Sequence, residues 1–537
     1  MADEIHPAAP ALADFFKRRL GCSTEGLLPL LSDLLKAQEL GHVCLKLTRK
    51  QRAWVAKFKG LYLPHGKAPL VLEDDRLYFQ RLWRYEETLA AGVRRLARAK
   101  HPVDTAKLDC LAQALKLDAS QREAVYGAAQ VDFGILTGGP GTGKTTTALQ
   151  LVALLAWQGR LGEGRPIALA APTGKAAQRL KESFRRLKEL PLPEAVRAVI
   201  PTEATTLHRL LGARPETARV SYDADNPLPY AAVVVDEASM VNLALVAKLV
   251  QALPPEGALY LLGDRDQLAS VEEGSVLADL CDGLPAHTFR LTTTHRFDAR
   301  LCALAEAVKA GKAKEFEGRL GTDYLPVREE CLWQALDEGF SGYWQKLAQG
   351  AAPDELLAEL AQFRVLCAHR RGVLGSDWLN QELWLRFKRK GWIASRSAYY
   401  PGRPILIAEN APELGLFNGD VGVCLEDKVW FEGGRGFSPA RLPAHETCFA
   451  MTVHKAQGSE FNRVLLVLPA KSSEVLSREL VYTAITRART RVQCFGPKAV
   501  LRYALGRCVQ RYGGLRYKLA DAPAKHLNPV ARLVDRL

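Results

Sequence analysis

The stretch Gly134–Thr147, "GILTGGPGTGKTTT", constrains the fold of this chain more than any other. Within it, Gly138 to Thr145 fits G-x-x-x-x-G-K-T, lying between an apolar run of buried-strand type and the helical stretch "LQLVALLAW". Glycines in such a loop let backbone N–H groups converge on phosphate oxygens, and the helix N-terminus that follows adds positive potential. The pattern therefore predicts ATP binding by Gly138, Gly139, Pro140, Gly141, Thr142, Gly143, Lys144, Thr145 and Thr146. Lys144 is expected to reach the β- and γ-phosphates, and the Thr145 hydroxyl to ligate Mg²⁺.

The surrounding sequence repeats the strand–helix alternation of parallel α/β folds. "FGILTG" (133–138), "IALAAPT" (167–173), "AAVVVDEAS" (231–239), "LYLLGD" (259–264) and "HTFRLTTT" (287–294) read as strands. The pattern restarts with "FRVLCAH" (363–369), "RVLLVLPA" (463–470) and "VQCFG" (492–496). Two α/β units in one chain predict two stacked nucleotide-motor domains with ATP between them. Residues 1–110 show helical periodicity without a catalytic signature and read as a helical partner-docking domain. The α/β domains are expected over 111–355 and 356–537. A turn-rich segment near 212–230 is expected to form a small hairpin, and the Gly- and Pro-rich section 396–447 a small β insertion.

"VVVDEAS" supplies the second half of the site. Asp236 is expected to hold Mg²⁺, and Glu237 to orient or deprotonate the attacking water. Gln121, ahead of the loop, is placed to read adenine. A kinase would need a base for a substrate hydroxyl and an acceptor pocket, and neither has a sequence signature here. Gln267 of "LLGDRDQLASV" is a candidate γ-phosphate sensor. Arg296 of "TTTHRF" and Arg487 of "VYTAITRAR" are candidates to stabilise the charge that spreads over the transferring phosphoryl. If Arg487 comes from the second unit, catalysis requires the two units to close, and cyclic closure is what translocation along a polymer needs.

The chain has a formal net charge of +14 and a sequence pI near 9.2, which favours a polyanionic partner. No apolar run reaches the roughly 18 residues of a membrane span. The first residues read as no secretory signal, and the eleven cysteines lack metal-ligand spacing. A cytoplasmic protein with reduced thiols and no membrane association is the expectation.

"GGPGTGKTTT", "APTGKAA", "ATTLHRLLG", "VVVDEASMV", "LLGDRDQLASVEEGSVLADL", "MTVHKAQGSEF" and "VYTAITRAR" resemble the ordered motifs of superfamily 1 helicases. "GRPILIAENAPELGLFNGDVGV" (402–423) is similar to the RecD branch, the alpha subunit of exodeoxyribonuclease V (RecBCD). The resemblance implies two RecA-like motor domains and 5′→3′ ATP-dependent unwinding of duplex DNA ends, for repair of double-strand breaks by homologous recombination. It implies ribose contact by Glu460, and a single strand lined by Pro172, Thr173, Lys175, Thr206, His208, Thr452 and His454. It makes the hairpin a strand-separating pin and the β insertion SH3-like.

Stand-alone RecD-like helicases carry a longer N-terminal extension, whereas about 137 residues precede the phosphate loop here. That favours a heterotrimer subunit whose N-terminal domain docks on RecC, with RecB as the other partner. The nuclease centre is expected outside this chain. The rivals are a stand-alone helicase, a DNA-dependent ATPase clamp that does not unwind, and a structural subunit with a vestigial site. Intact Lys144, Asp236, Glu237, Arg296 and Arg487 argue against the last.

Overall fold

The computed structural model describes residues 5–20, 26–56, 68–162, 164, 166–189, 192–214, 219–270, 272–294, 298–395 and 397–520. The N-terminal region is not purely helical, as its periodicity suggested. β1 (Leu45–Lys46), β2 (Leu70–Glu73) and β3 (Arg76–Phe79) form an antiparallel sheet in the order β1-β3-β2. The acid-rich turn after β2 places Asp74 at φ +55°, a left-handed position that short acidic side chains tolerate. Leu70 and Leu77 then bury against the helices Ala9–Leu20 and Leu27–Glu39.

The first large sheet contains β4 (Phe133–Gly138), β5 (Ile167–Ala171), β6 (Thr205–Thr206), β7 (Ala232–Val235), β8 (Ala258–Gly263) and β9 (Thr288–Leu291). All neighbours are parallel, in the order β6-β5-β7-β8-β4-β9. Helices cover both faces, so the strands are apolar throughout rather than alternating. This order puts the C-terminal ends of β4, β8 and β7 side by side.

The second lobe begins earlier than the sequence boundary at 355. β10 (Tyr324–Leu325) pairs with the far sheet, and Leu301, Leu304, Phe316 and Leu320 join its core. β11 (Phe363–Cys367) leads into an insertion made of β12 (Pro404–Ile407), β13 (Val421–Leu425), β14 (Lys428–Phe431), β15 (Arg435–Phe437) and β16 (His445–Thr447). These form an antiparallel sheet, β15-β14-β13-β12-β16, within the span expected for a small β insertion. The chain then returns through β17 (Ala450–Thr452), β18 (Phe461–Val467) and β19 (Ala488–Phe495), giving the parallel sheet β10-β19-β18-β11-β17. The α/β architecture with two parallel sheets is as the sequence implied.

Two further boundaries differ, and one segment takes another form. Helix Thr105–Ala114, assigned in part to the N-terminal domain, packs Leu108 and Leu111 into the first lobe. Helix Leu515–Leu519, assigned to the second lobe, packs against helices Gln80–Ala97 and Val276–Gly283. The segment 212–230 reverses direction without forming strands among its described residues: Ser221 N–H and Tyr222 N–H both donate to the Leu211 carbonyl, and Arg214 N–H donates to Arg219. Its tip, 215–218, lies outside the described residues. No described helix is long and apolar enough to cross a membrane.

The returning C-terminal segment buries an acid. Gly514 N–H donates to Glu86 Oε1 at 2.8 Å, and Lys518 bonds Glu73 and Glu87 at 2.6 and 2.5 Å. Glu86 is 1% exposed, and burial pushes its carboxyl up to about 7 against the opposing pull of Lys518 and the Gly514 N–H. The folded chain thus holds this proton more tightly than the unfolded chain. Stability from this group is fully present below the ordinary carboxylate range and declines as pH rises to about 7. Glu86→Gln, which keeps the acceptor and removes the charge, should abolish that decline, a difference of roughly 1–3 kcal/mol at pH 8. Thermal melts of both proteins at pH 5 and pH 8 check this; equal pH dependence in the two would refute it.

Candidate active site

The phosphate loop leaves β4 at Gly138 and enters helix Lys144–Trp157. Gly141 and Gly143 stand at φ +76° and +79°, a region where a side chain would be strained. A Cβ at Gly138 would lie 2.7 Å from Thr142 Oγ1 and 2.9 Å from the Leu291 carbonyl, so the loop closes this tightly only with glycine there. Thr142 Oγ1 donates to the Gly139 carbonyl at 2.8 Å. Lys144 Nζ donates to the Gly138 and Gly139 carbonyls at 2.8 and 3.0 Å, which holds its ammonium over the loop. Pro140 and Thr146 complete the loop and first helical turn.

Asp236 and Glu237 follow β7. Thr145 Oγ1 donates to Asp236 Oδ2 at 3.0 Å, and the Glu237 N–H donates to Asp236 Oδ1 at 2.8 Å. Burial, then the neighbouring Glu237 charge, pushes the Asp236 carboxyl up to about 6. Thr145 and Asp236 thus bring two hard oxygen donors together beside the loop, the donor chemistry that suits Mg²⁺. Glu237 sits at φ +52°, ψ +39°, left-handed without being glycine. Such a conformation costs free energy and persists where the surroundings fix it. Among the described residues no group of three or more His, Cys, Asp and Glu side chains is placed to hold a metal.

The third strand end adds Asp264, which sequence reasoning passed over in "LLGD". Asp264 is 3% exposed, and burial raises its carboxyl pKa. Gln267, itself buried, donates through Nε2 to Asp264 Oδ2 at 3.2 Å. The second lobe reaches the same oxygen: Tyr482 donates to it at 2.9 Å from helix Arg478–Ile485. A Cβ at Gly139 would stand 3.4 Å from that hydroxyl, so Tyr482 abuts the phosphate loop. The next residues extend the seam. Leu268 N–H donates to Thr483 Oγ1 at 2.9 Å, and Gln457 Nε2 donates to the Leu268 carbonyl at 3.0 Å.

Arg487 lies at this seam, 4% exposed. Its Nε and Nη1 donate to the carbonyls of Thr483 and Ser459 at 3.3 and 3.2 Å. Ser459 is also the partner of Lys175, whose Nζ donates to its hydroxyl at 2.8 Å from the first lobe. Lys175, expected on a DNA strand, is therefore committed to an interlobe bond, and burial lowers it to about 8. A single residue, Ser459, links it to Arg487. Arg296 lies outside the described residues.

The other expected contacts are placed as follows. The Gln121 side-chain oxygen accepts the Asp118 N–H at 3.3 Å in a capping box, so its amide NH₂ is the end left to meet a base. Glu460 accepts Arg489 Nε and Nη2 at 3.1 and 2.9 Å, so its carboxylate is shared with a cation. Pro172 and Thr173 follow β5, Thr206 ends β6 and Thr452 ends β17. Each threonine hydroxyl accepts a backbone N–H: Ala176 at 3.2 Å, Arg209 at 3.3 Å and Lys455 at 3.4 Å. His208 is exposed; His454 is half-buried, with its basicity lowered by burial and by Arg511. Tyr482, five residues before Arg487, had a signal in "VYTAITRAR", since it lies on the helix that leads directly into the predicted arginine.

An AAA domain matches residues 121–273, and a UvrD-like helicase C-terminal domain matches residues 447–493. The RecBCD enzyme subunit RecD of Mycolicibacterium smegmatis is 40% identical over 88% of this chain and 87% of its own length. That of Haemophilus influenzae is 34% identical, covering 84% and 82%. An ATP-dependent RecD2 DNA helicase of Deinococcus radiodurans is 33% identical over 81% of this chain and 57% of its own length. With relatives this similar over more than four fifths of its length, the chain belongs to the RecD family of helicases.

Proposed function

We propose that this chain is the ATP-driven 5′→3′ DNA helicase subunit of a RecBCD-type helicase–nuclease, opening duplex ends for recombinational repair of double-strand breaks. The observation that carries the reading is the seam itself: phosphate loop and Asp236–Glu237 on one lobe, Arg487 and Tyr482 on the other. Lys144 and the loop N–H groups hold the phosphates. Glu237 orients the attacking water and takes its proton, while Gln267 reports the terminal phosphate. Mg²⁺, held through Thr145 and Asp236, would neutralise charge on the β- and γ-oxygens. Arg487 and Arg296 stabilise the transferring phosphoryl. Gln121 and Glu460 face base and ribose.

On the DNA side, Pro172, Thr173, Thr206, His208, Thr452 and His454 lie at or just beyond the C-terminal ends of strands in both lobes, where open α/β sheets bind ligands. Lys175 joins them if closure releases it from Ser459. The N-terminal domain, roughly 1–110, docks on RecC, with RecB completing the heterotrimer. The 212–230 reversal serves as a pin and the 396–447 sheet as an SH3-like accessory. The work is cytoplasmic. A second reading, a stand-alone helicase, is favoured by the Deinococcus radiodurans relative. Purification alone and with RecB and RecC chains separates the two: a monodisperse, unwinding monomer supports the second.

Lys144→Gln should reduce DNA-stimulated ATP hydrolysis by at least about 10²-fold while leaving the melting curve unchanged. Surviving turnover would overturn the site. A duplex with a 5′ tail should be unwound and one with a 3′ tail left intact. Single-strand affinity should fall steeply between low and moderate salt as counterions are released; a flat response counts against a phosphate-tracking path. Tyr482→Phe removes a donor from a buried carboxylate, so turnover should drop about tenfold while ADP affinity is retained. Steady-state kinetics beside nucleotide titrations check it; wild-type turnover would show that the Asp264 bond plays no part in the cycle.

A further inference from the structure

Helix Gly174–Lys188 turns two cations toward the second lobe. Ala176, Ala177, Leu180 and Phe184 bury its other side in the first lobe. Lys175, in the first turn, is fixed by its bond to Ser459. Arg179 follows four residues later and so lies on the same face, one turn further along the seam. It is half-buried, and burial draws its basicity down. The charges it feels come from both walls: Glu237 from the first lobe, and Glu460, Arg487 and Arg489 from the second.

Neither carboxylate satisfies it. Glu460 is held by Arg489 through two hydrogen bonds, and among the described residues the Arg179 guanidinium makes no hydrogen bond or ion pair. A guanidinium drawn out of water without a partner is costly, and a second guanidinium, Arg487, bonds the same Ser459 that holds Lys175 one turn away and opposes the Arg179 charge. A multiply charged anion between the two walls relieves both costs at once. Arginine's planar fork suits phosphoryl oxygens better than any other side chain does.

We propose that Arg179 is a further arginine on the terminal phosphate of ATP, supplied by the wall opposite Arg487, and that it makes the crevice distinguish ATP from ADP. The inference rests on the reading of this crevice as a nucleoside-triphosphate site. With the terminal phosphoryl present, Arg179 and Arg487 are bridged and the lobes are drawn together. Once that group has been cleaved and has left, the two like charges face each other again and favour opening. Arg179 thereby couples the chemical state of the nucleotide to the distance between the lobes.

The test uses the full chain with Arg179→Ala and Arg179→Lys, and with Lys144→Gln in parallel. Affinities for ADP and for ATPγS are titrated, saturated hydrolysis is timed in a single turnover, and trapping by ADP with aluminium fluoride is scored. Arg179→Ala should slow saturated hydrolysis by about 10²-fold, lose trapping, and lower ATPγS affinity about tenfold with ADP affinity kept. Arg179→Lys should restore less than about a tenth of the rate, because a point charge cannot replace the fork. Hydrolysis within about threefold of wild type, equal losses for both nucleotides, or full rescue by Lys would each overturn it. If Arg179→Ala melts early, Arg179→Gln keeps most of the volume and gives the same readouts. An inert Arg179→Ala beside a dead Lys144→Gln sinks this inference alone; an active Lys144→Gln sinks the nucleotide site beneath it.

Discussion

The hydrogen bond from Tyr482 to Asp264 joins the two lobes at the point where the phosphate loop, the motor's third strand end and the helix that precedes Arg487 meet. Both partners are buried, and burial raises the Asp264 carboxyl pKa, so losing the bond would leave the Tyr482 hydroxyl without this acceptor and the carboxylate with one donor fewer away from water. The bond requires β8 to stop at Gly263, where a Cβ would run into Leu277 and the Ser239 backbone. It equally requires helix Arg478–Ile485 to start where it does, which Ser477 secures by accepting the Leu480 N–H at 3.2 Å. A residue that only seals an interface would need no such definition from both sides.

The energetics of the seam fit a part that opens and closes. Each lobe has its own apolar cores, and neither depends on the other for most of its burial. Across the seam stand a handful of side-chain bonds, each worth about 0.5–1.5 kcal/mol net. The exception is Leu268, a first-lobe residue 6% exposed whose side chain joins the second lobe's core. It directly follows Gln267, which bonds Asp264. A change at the terminal phosphate that moves Gln267 therefore moves a residue wedged in the opposite lobe, with no intermediate chain of contacts to invoke.

Much of this was legible in the sequence, for identifiable reasons. The phosphate loop and "VVVDEAS" carry their chemistry in consecutive residues, and strands buried on both faces announce themselves as unbroken apolar runs. What was hidden depends on partners far away in the chain. β10 has two residues and gains its place only through β19, so the second lobe's start could not be read from periodicity. The helix Leu515–Leu519 joins the N-terminal region through contacts separated by more than four hundred residues. Lys175 looked like a DNA contact because its motif is local, while its actual partner, Ser459, is 284 residues away. Arg179 had no local signal at all; a surface arginine on an amphipathic helix looks the same in sequence.

The three threonines on the proposed DNA path show how one side chain can serve fold and function together. Thr173, Thr206 and Thr452 each accept a backbone N–H at the start of the turn or helix that follows. A hydroxyl that accepts keeps its own O–H, which rotates freely toward a phosphate oxygen. The capping bond fixes where the oxygen sits, so the remaining donor is presented from a set position at little entropic cost. Because all three follow strand ends, two in the first lobe and one in the second, a change in the seam alters the spacing between them without disturbing any of them individually. Contacts of this kind read backbone and ignore base identity, which is what a motor moving along arbitrary sequence requires. Replacing any of them by valine would cost the cap and the phosphate contact together, which binds the grip on DNA to the same local geometry that ends the strand.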